Sequence, residues 1–120
     1  MSVKKILVVD DSPTDLHIIT NYLIKNGYTA ISAINGSEAV ESAKAQKPDL
    51  ILMDVVMPGM NGFEATRLLS KDPDTSDIPV LMITSKDQET DRIWAMRQGA
   101  TDYMVKPVDE TVLINRIKAL

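Results

Sequence analysis

Leu50-Ile51-Leu52-Met53-Asp54-Val55-Val56-Met57-Pro58-Gly59-Met60-Asn61-Gly62 decides the fold, because a short unbroken apolar run hands an acidic residue to a turn. A strand covered on both faces reads this way, whereas a half-exposed antiparallel strand alternates apolar with polar residues. Comparable runs rich in branched residues recur at 6–9, 30–33, 80–83 and 103–105, and each is read, like 50–53, as a strand. Helical patterns lie between them. Ser12 as N-cap and Pro13 at the first helical position open a helix that carries Leu16, Ile19 and Leu23 at helical spacing and stops at Gly27. Further helices are predicted over 37–46, closed by Pro48; over 62–71; over 88–98, ended by Gly99; and beyond Asp109 as a cap. The polar stretch 71–77 reads as the loop before the fourth strand. Alternating strands and helices with short connections imply a doubly wound α/β fold: a parallel sheet, right-handed crossovers and helices on both faces. Ligands in such folds bind beyond the carboxyl ends of the strands.

A chain of 120 residues has the size of one ordinary domain, expected here to span 1–120. With 13 basic and 17 acidic residues the net charge is −4, which argues against direct nucleic-acid binding. There is no cysteine, so disulfides, thiolate metal sites and cysteine nucleophiles are excluded. Met1-Ser2-Val3-Lys4-Lys5 is basic, but the apolar run after it is too short for a signal peptide or a membrane span, and a cytoplasmic protein without membrane insertion is expected.

The residues at the carboxyl ends of the first, third, fourth and fifth strands are Asp10 with Asp11, Asp54, Thr84 and Lys106. Such a sheet brings them to one rim. Clustered carboxylates repel one another, and a hard cation would resolve the conflict. Oxygen-only ligands without His or Cys favour Mg²⁺, with Mn²⁺ as the substitute. Taken singly, the acidic pair reads as a turn or cap, Thr84 as a strand-end hydroxyl and Lys106 as a solvated charge. Taken together they fit a chemistry: a carboxylate can form an acyl phosphate, and a cation, an ammonium group and a hydroxyl can share the charge of the phosphoryl oxygens.

In order and spacing, Asp10-Asp11, Asp54 in its Leu-Met-Asp-Val-Val-Met-Pro-Gly-Met-Asn-Gly context, Thr84 and Lys106-Pro107 resemble the signature of response-regulator receiver domains over essentially the whole chain. The resemblance implies a flavodoxin-like sheet of order 2-1-3-4-5 with five helices. It implies Asp54 as phosphoacceptor, with Mg²⁺ held directly by Asp11 and Asp54, through water by Asp10, and by the backbone carbonyl of Val56. Lys106 would contact the phosphoryl group, Thr84 would swing to hydrogen-bond it, and Tyr103 would rotate inward behind Thr84. The coupled output face would be that of helix four, strand five and helix five, and the Lys106-Pro107 bond would be cis. A sensor histidine kinase of the CheA type would be the phosphoryl donor. The chain would be a phosphoacceptor that loses its own phosphoryl group, not a turnover enzyme, and a monomer or a weak phosphorylation-dependent dimer.

The stretch Thr84-Ser85-Lys86-Asp87-Gln88-Glu89-Thr90-Asp91, with Trp94 and Arg97-Gln98-Gly99-Ala100, is most similar to single-domain regulators of twitching-motility chemosensory systems, those of the PilH type. No output domain is expected, so the output would be a protein contact or a phosphate sink for a shared kinase; a docking module that is never phosphorylated is the further alternative. Two residues beyond the acceptor and the threonine stand Val56 and Lys86, positions that tune dephosphorylation in the family. An apolar Val56 gives no hydrogen bond to an attacking water.

His17 is read as a surface residue of the first helix, most methionines as core filler, and Met57 and Met60 as shaping the loop beside the site. Trp94 is read either as a partner anchor or as buried packing. A flavin or nucleotide binder would need a Gly- or Ser/Thr-rich loop where Asp10 and Asp11 stand. A phosphatase of the haloacid dehalogenase type needs a second acid where Val56 stands.

Overall fold

Continuous apolar runs become the strands of one parallel sheet in the computed structural model, which describes residues 2–120. The strands are β1 (Lys5–Val9), β2 (Thr29–Ala33), β3 (Leu50–Met53), β4 (Val80–Thr84) and β5 (Asp102–Val105), paired in the order β2-β1-β3-β4-β5. The helices are α1 (Pro13–Lys25), α2 (Gly36–Gln46), α3 (Gly62–Lys71), α4 (Glu89–Arg97) and α5 (Glu110–Lys118). The doubly wound α/β fold expected from the sequence is the fold observed.

The period of two along each strand divides the core between the two faces of the sheet. Ile6, Val8, Leu50, Leu52, Leu81 and Ile83 point to one face and pack with Ile19 and Leu23 of α1 and Leu113, Ile114 and Ile117 of α5. Leu7, Val9, Ile51, Met53, Val80 and Met82 point to the other, where Ala39 and Ala43 of α2, Ala65 and Leu69 of α3 and Ala95 of α4 cover them. Both faces of β1, β3 and β4 are therefore dry, which is why their sequences do not alternate. Each fully buried Leu or Ile contributes about 1.5–3 kcal/mol by leaving water.

The connections are fixed by local chemistry. Ser12, Asn35, Asn61 and Asp109 cap α1, α2, α3 and α5, each accepting a helical N–H on its side chain. Thr75 anchors the loop before β4, its hydroxyl donating to the Leu69 carbonyl at 2.7 Å. The strand order reverses at β1, which lies between β2 and β3. That switch point opens the crevice in which ligands of doubly wound folds bind.

Candidate functional site

Backbone pairing carries past the strand ends and sets two acids side by side. Asp10 donates its N–H to the Ala33 carbonyl at 3.1 Å, and Asp54 donates to the Val9 carbonyl at 3.0 Å. Both residues are buried, at 2% and 6% exposure, which is unusual for carboxylates and requires partners. Asp10 Oδ1 accepts the N–H of Ser12 at 2.9 Å, and Asp54 Oδ1 accepts that of Val55 at 2.7 Å. Their outer oxygens converge on Lys106, whose Nζ lies 2.9 Å from Asp10 Oδ2 and 3.3 Å from Asp54 Oδ2.

Lys106 reaches this point because its own N–H donates to the Thr84 carbonyl at 2.8 Å, extending the β4–β5 ladder. The Lys106-Pro107 peptide is cis. A third carboxylate, Asp15 on the first turn of α1, also binds the ammonium at 2.8 Å. Sequence reasoning missed it, since an acid in the first turn of a capped helix is an ordinary partner of the helix dipole.

Burial pushes the Asp54 carboxyl up from its ordinary range, and the neighbouring Asp10 charge adds to this; Lys106 and the Val55 N–H oppose it. Burial by itself would lower the Lys106 ammonium, but its hydrogen bonds to Asp15 and Asp10 and the charge of Asp54 outweigh this and hold it well above its usual value. The site is thus under strain from excess negative charge and keeps its one ammonium firmly protonated.

Asp11 is exposed, yet one carboxylate oxygen each from Asp10, Asp11 and Asp54 lie within 4.8 Å of one another. An all-oxygen set of this charge and spacing fits a hard divalent cation such as Mg²⁺ and offers nothing to a soft one.

Thr84 is fully buried and its hydroxyl oxygen accepts the Lys86 N–H at 3.3 Å. Tyr103 is also buried, and its phenol donates to the Lys86 carbonyl at 2.7 Å. Tyr103 thus occupies an inward position in this conformation. The two side chains grip opposite sides of one residue in the β4–α4 loop. Burial, with the charges of Asp91, Asp54 and Asp87 behind it, pushes the Tyr103 phenol up to about 12, so it stays a hydrogen-bond donor throughout the physiological range.

Val56 is 57% exposed at the mouth of the site, and Lys86 pairs loosely with Asp91 at 3.7 Å. Trp94 on α4 is half exposed, as are Ile93 and Met96 on the same helix, Val105 on β5 and Val112 on α5. His17 is exposed and shares a hydrogen bond with Asn21 at 3.0 Å. Met53 and Met82 are fully buried, while Met60 packs against the core layer of Leu7, Val9 and Ile51, to which Met57 also belongs.

Residues 6–118 match the response regulator receiver domain family. The chain belongs to that family. A receiver domain takes its phosphoryl group from a histidine kinase onto an aspartate, at an acidic pocket that generally binds Mg²⁺. Among curated relatives, protein PilH of Pseudomonas aeruginosa is 54% identical over 116 residues, 97% of this chain and 96% of that protein. Response regulator PleD of Caulobacter vibrioides is 40% identical over 97% of this receiver domain, which spans 26% of PleD. Of solved structures, chemotaxis protein CheY4 of Vibrio cholerae superposes with a TM-score of 0.92 at 30% identity, covering 98% of both chains. The signal receiver domain of a histidine kinase from Syntrophus aciditrophicus gives 0.89 at 36% identity, covering 97% of this chain and 88% of that one. No helix among the described residues is long and apolar enough to cross a membrane.

Proposed function

We propose that this receiver is a single domain over 1–120 and that Asp54 is its phosphoacceptor. The observation that carries the assignment is the placement of Asp54, buried to 6% exposure beside Asp10 and bonded to Lys106 at 3.3 Å, at the switch point of the sheet. An Asp54 oxygen attacks the phosphorus of a phosphohistidine, the P–N bond breaks, the electron pair returns to the imidazole, and an acyl phosphate forms.

Asp11 and Asp54 would hold Mg²⁺ directly, with Asp10 acting through water and the Val56 carbonyl as a further oxygen, and Mn²⁺ would substitute. The cation supplies charge neutralisation for the phosphoryl oxygens as they crowd against these acids. Lys106 contributes a second positive charge and orients the phosphoryl group. The Thr84 hydroxyl turns from the Lys86 N–H to a phosphoryl oxygen, and this is felt by Tyr103 through the Lys86 backbone that both side chains hold. The readout is a population shift of the α4–β5–α5 face, whose exposed Trp94, Met96, Val105 and Val112 suit a protein contact.

The chain acts stoichiometrically, accepting and losing its own phosphoryl group, as a cytoplasmic monomer or a weak phosphorylation-dependent dimer. Likeness to PilH over nearly the full length of both chains supports a type IV pilus or twitching-motility pathway fed by a CheA-like kinase.

The test is the intact mass after incubation with acetyl phosphate and Mg²⁺. A gain of ~80 Da that needs the cation and is absent from Asp54→Asn is expected of an activated carboxylate. No adduct in the wild type would leave only a docking module that is never phosphorylated.

A further inference from the structure

Lys106 meets three carboxylates, and its shortest contact is with Asp15 at 2.8 Å, against 2.9 Å for Asp10 and 3.3 Å for Asp54. Asp15 stands apart from the acid trio whose oxygens converge. Its side chain is 38% exposed, whereas those of Asp10 and Asp54 are 2% and 8% exposed. Its backbone is anchored by the cap of α1, donating to Ser12 Oγ at 3.3 Å, and the same Ser12 donates its N–H to Asp10 Oδ1 at 2.9 Å. One turn of chain therefore supplies Lys106 Nζ with a buried inner carboxylate and a more exposed outer one. Asp15 and Lys106 both line a cavity of about 380 Å³ together with Ile18, Tyr22 and Pro107, so the outer edge of the site is open.

A divalent cation and an ammonium group compete for the same oxygens of Asp10 and Asp54 and repel each other at that range. A lysine side chain is flexible enough to move between partners, provided a partner stands outside the contested set. We infer that Asp15 is a positioning residue for Lys106: it holds the ammonium at the outer edge of the site and so releases Asp10 and Asp54 to the cation. The inference rests on the metal-assisted phosphoryl transfer proposed above. Asp15 touches neither the phosphorus nor the cation and acts through Lys106. Without it, Lys106 keeps only Asp10 and Asp54, and every incoming cation must displace it from both.

Mn²⁺ titrated into the full chain, with the free ion followed by electron paramagnetic resonance, tests this. Asp15→Asn is expected to weaken Mn²⁺ binding about tenfold while Lys106 is present, and Asp15→Glu to restore it to within about twofold. In a Lys106→Met background the same Asp15→Asn change costs less than about threefold, because only the through-space attraction between Asp15 and the cation remains. Equal losses in the two backgrounds, or no loss with Lys106 present, would overturn the inference while leaving Asp54 as acceptor untouched. A wild type that binds no Mn²⁺ would overturn the metal-assisted reading and this inference with it. Both Asp15 variants keep the N–H that bonds Ser12, and thermal melts of each check that the fold is retained.

Discussion

Asp49 ties the start of the sheet together: one of its oxygens accepts the N–H groups of Lys4 and Lys5, each at 2.9 Å. Those bonds, Lys5 first and Lys4 second, hold the carboxyl below its ordinary value of 3.8. A depressed carboxyl contributes stability that is present above the unfolded-state pKa and lost as pH falls through the folded-state one. Asp49→Asn removes the charge and keeps an acceptor. It is expected to lower stability by about 0.5–1 kcal/mol at pH 7 and by progressively less below pH 3.8, as read by urea unfolding at several pH values. An unchanged difference down to pH 2 would show that charge is not what Asp49 contributes. Asp10, Asp54, Thr84 and Lys106 were legible as a group because each ends or directly follows a strand, so one topological inference placed them all. Asp15 and Asp49 were not, since each depends on contact with a residue at least 44 positions away, or on Lys106 at 91, which no local pattern encodes.

The turn between β3 and α3 has to deliver Asp54 and begin a helix within a few residues. It does so by letting α3 approach closely: Gly62 donates its N–H to the Val55 carbonyl at 2.9 Å, and a Cβ at this position would collide with the Asp54 carbonyl oxygen. Asn61 and Glu64 complete the start as a reciprocal capping box. Gly62→Ala is expected to cost about 2–3 kcal/mol, because the obstacle is backbone and cannot rotate away. It should also weaken Mg²⁺ binding, since the displaced segment carries Asp54; equilibrium unfolding together with a Mg²⁺ titration reads both. Wild-type affinity in a destabilised variant would mean that the loop shifts without moving the acid.

At this scale most of the architecture could be read, for a physical reason: strands dry on both faces are continuously apolar, and Ser12 and Asp109 are capping residues standing where helices begin. The edges were less legible. β1 begins at Lys5 and β5 at Asp102, one residue before their apolar runs, because backbone pairing continues where burial has stopped. α2 begins at Gly36, not at Ser37, because Asn35 takes the capping role. α4 buries only Ala95 among its residues, so its core stripe is faint in sequence, and the exposure of Trp94 was visible only in the structure.

For the molecule as a whole, the acid cluster sits at the end of a sheet whose two layers are otherwise dry, so its electrostatic cost falls on global stability. Asp54 has a carboxyl raised by burial and by Asp10. A group whose folded-state pKa is raised gives stability that is complete below the unfolded-state pKa and disappears as pH rises through the folded-state value. Metal-free protein should therefore lose stability as pH climbs above the ordinary carboxylate range, and Asp54→Asn should remove most of that dependence. At pH 7 without metal the variant is expected to be more stable than wild type by about 1 kcal/mol, or roughly 4 °C in melting temperature. Mg²⁺ at about a hundred times its dissociation constant should stabilise the wild type by about 2.7 kcal/mol and the variant far less, since binding to the folded state alone shifts the unfolding equilibrium. The two melts cross as Mg²⁺ is added: the variant leads without the cation and the wild type leads with it. A wild type that is the more stable at every Mg²⁺ concentration would mean that Lys106 already neutralises the cluster, and that metal binding relieves no conflict there.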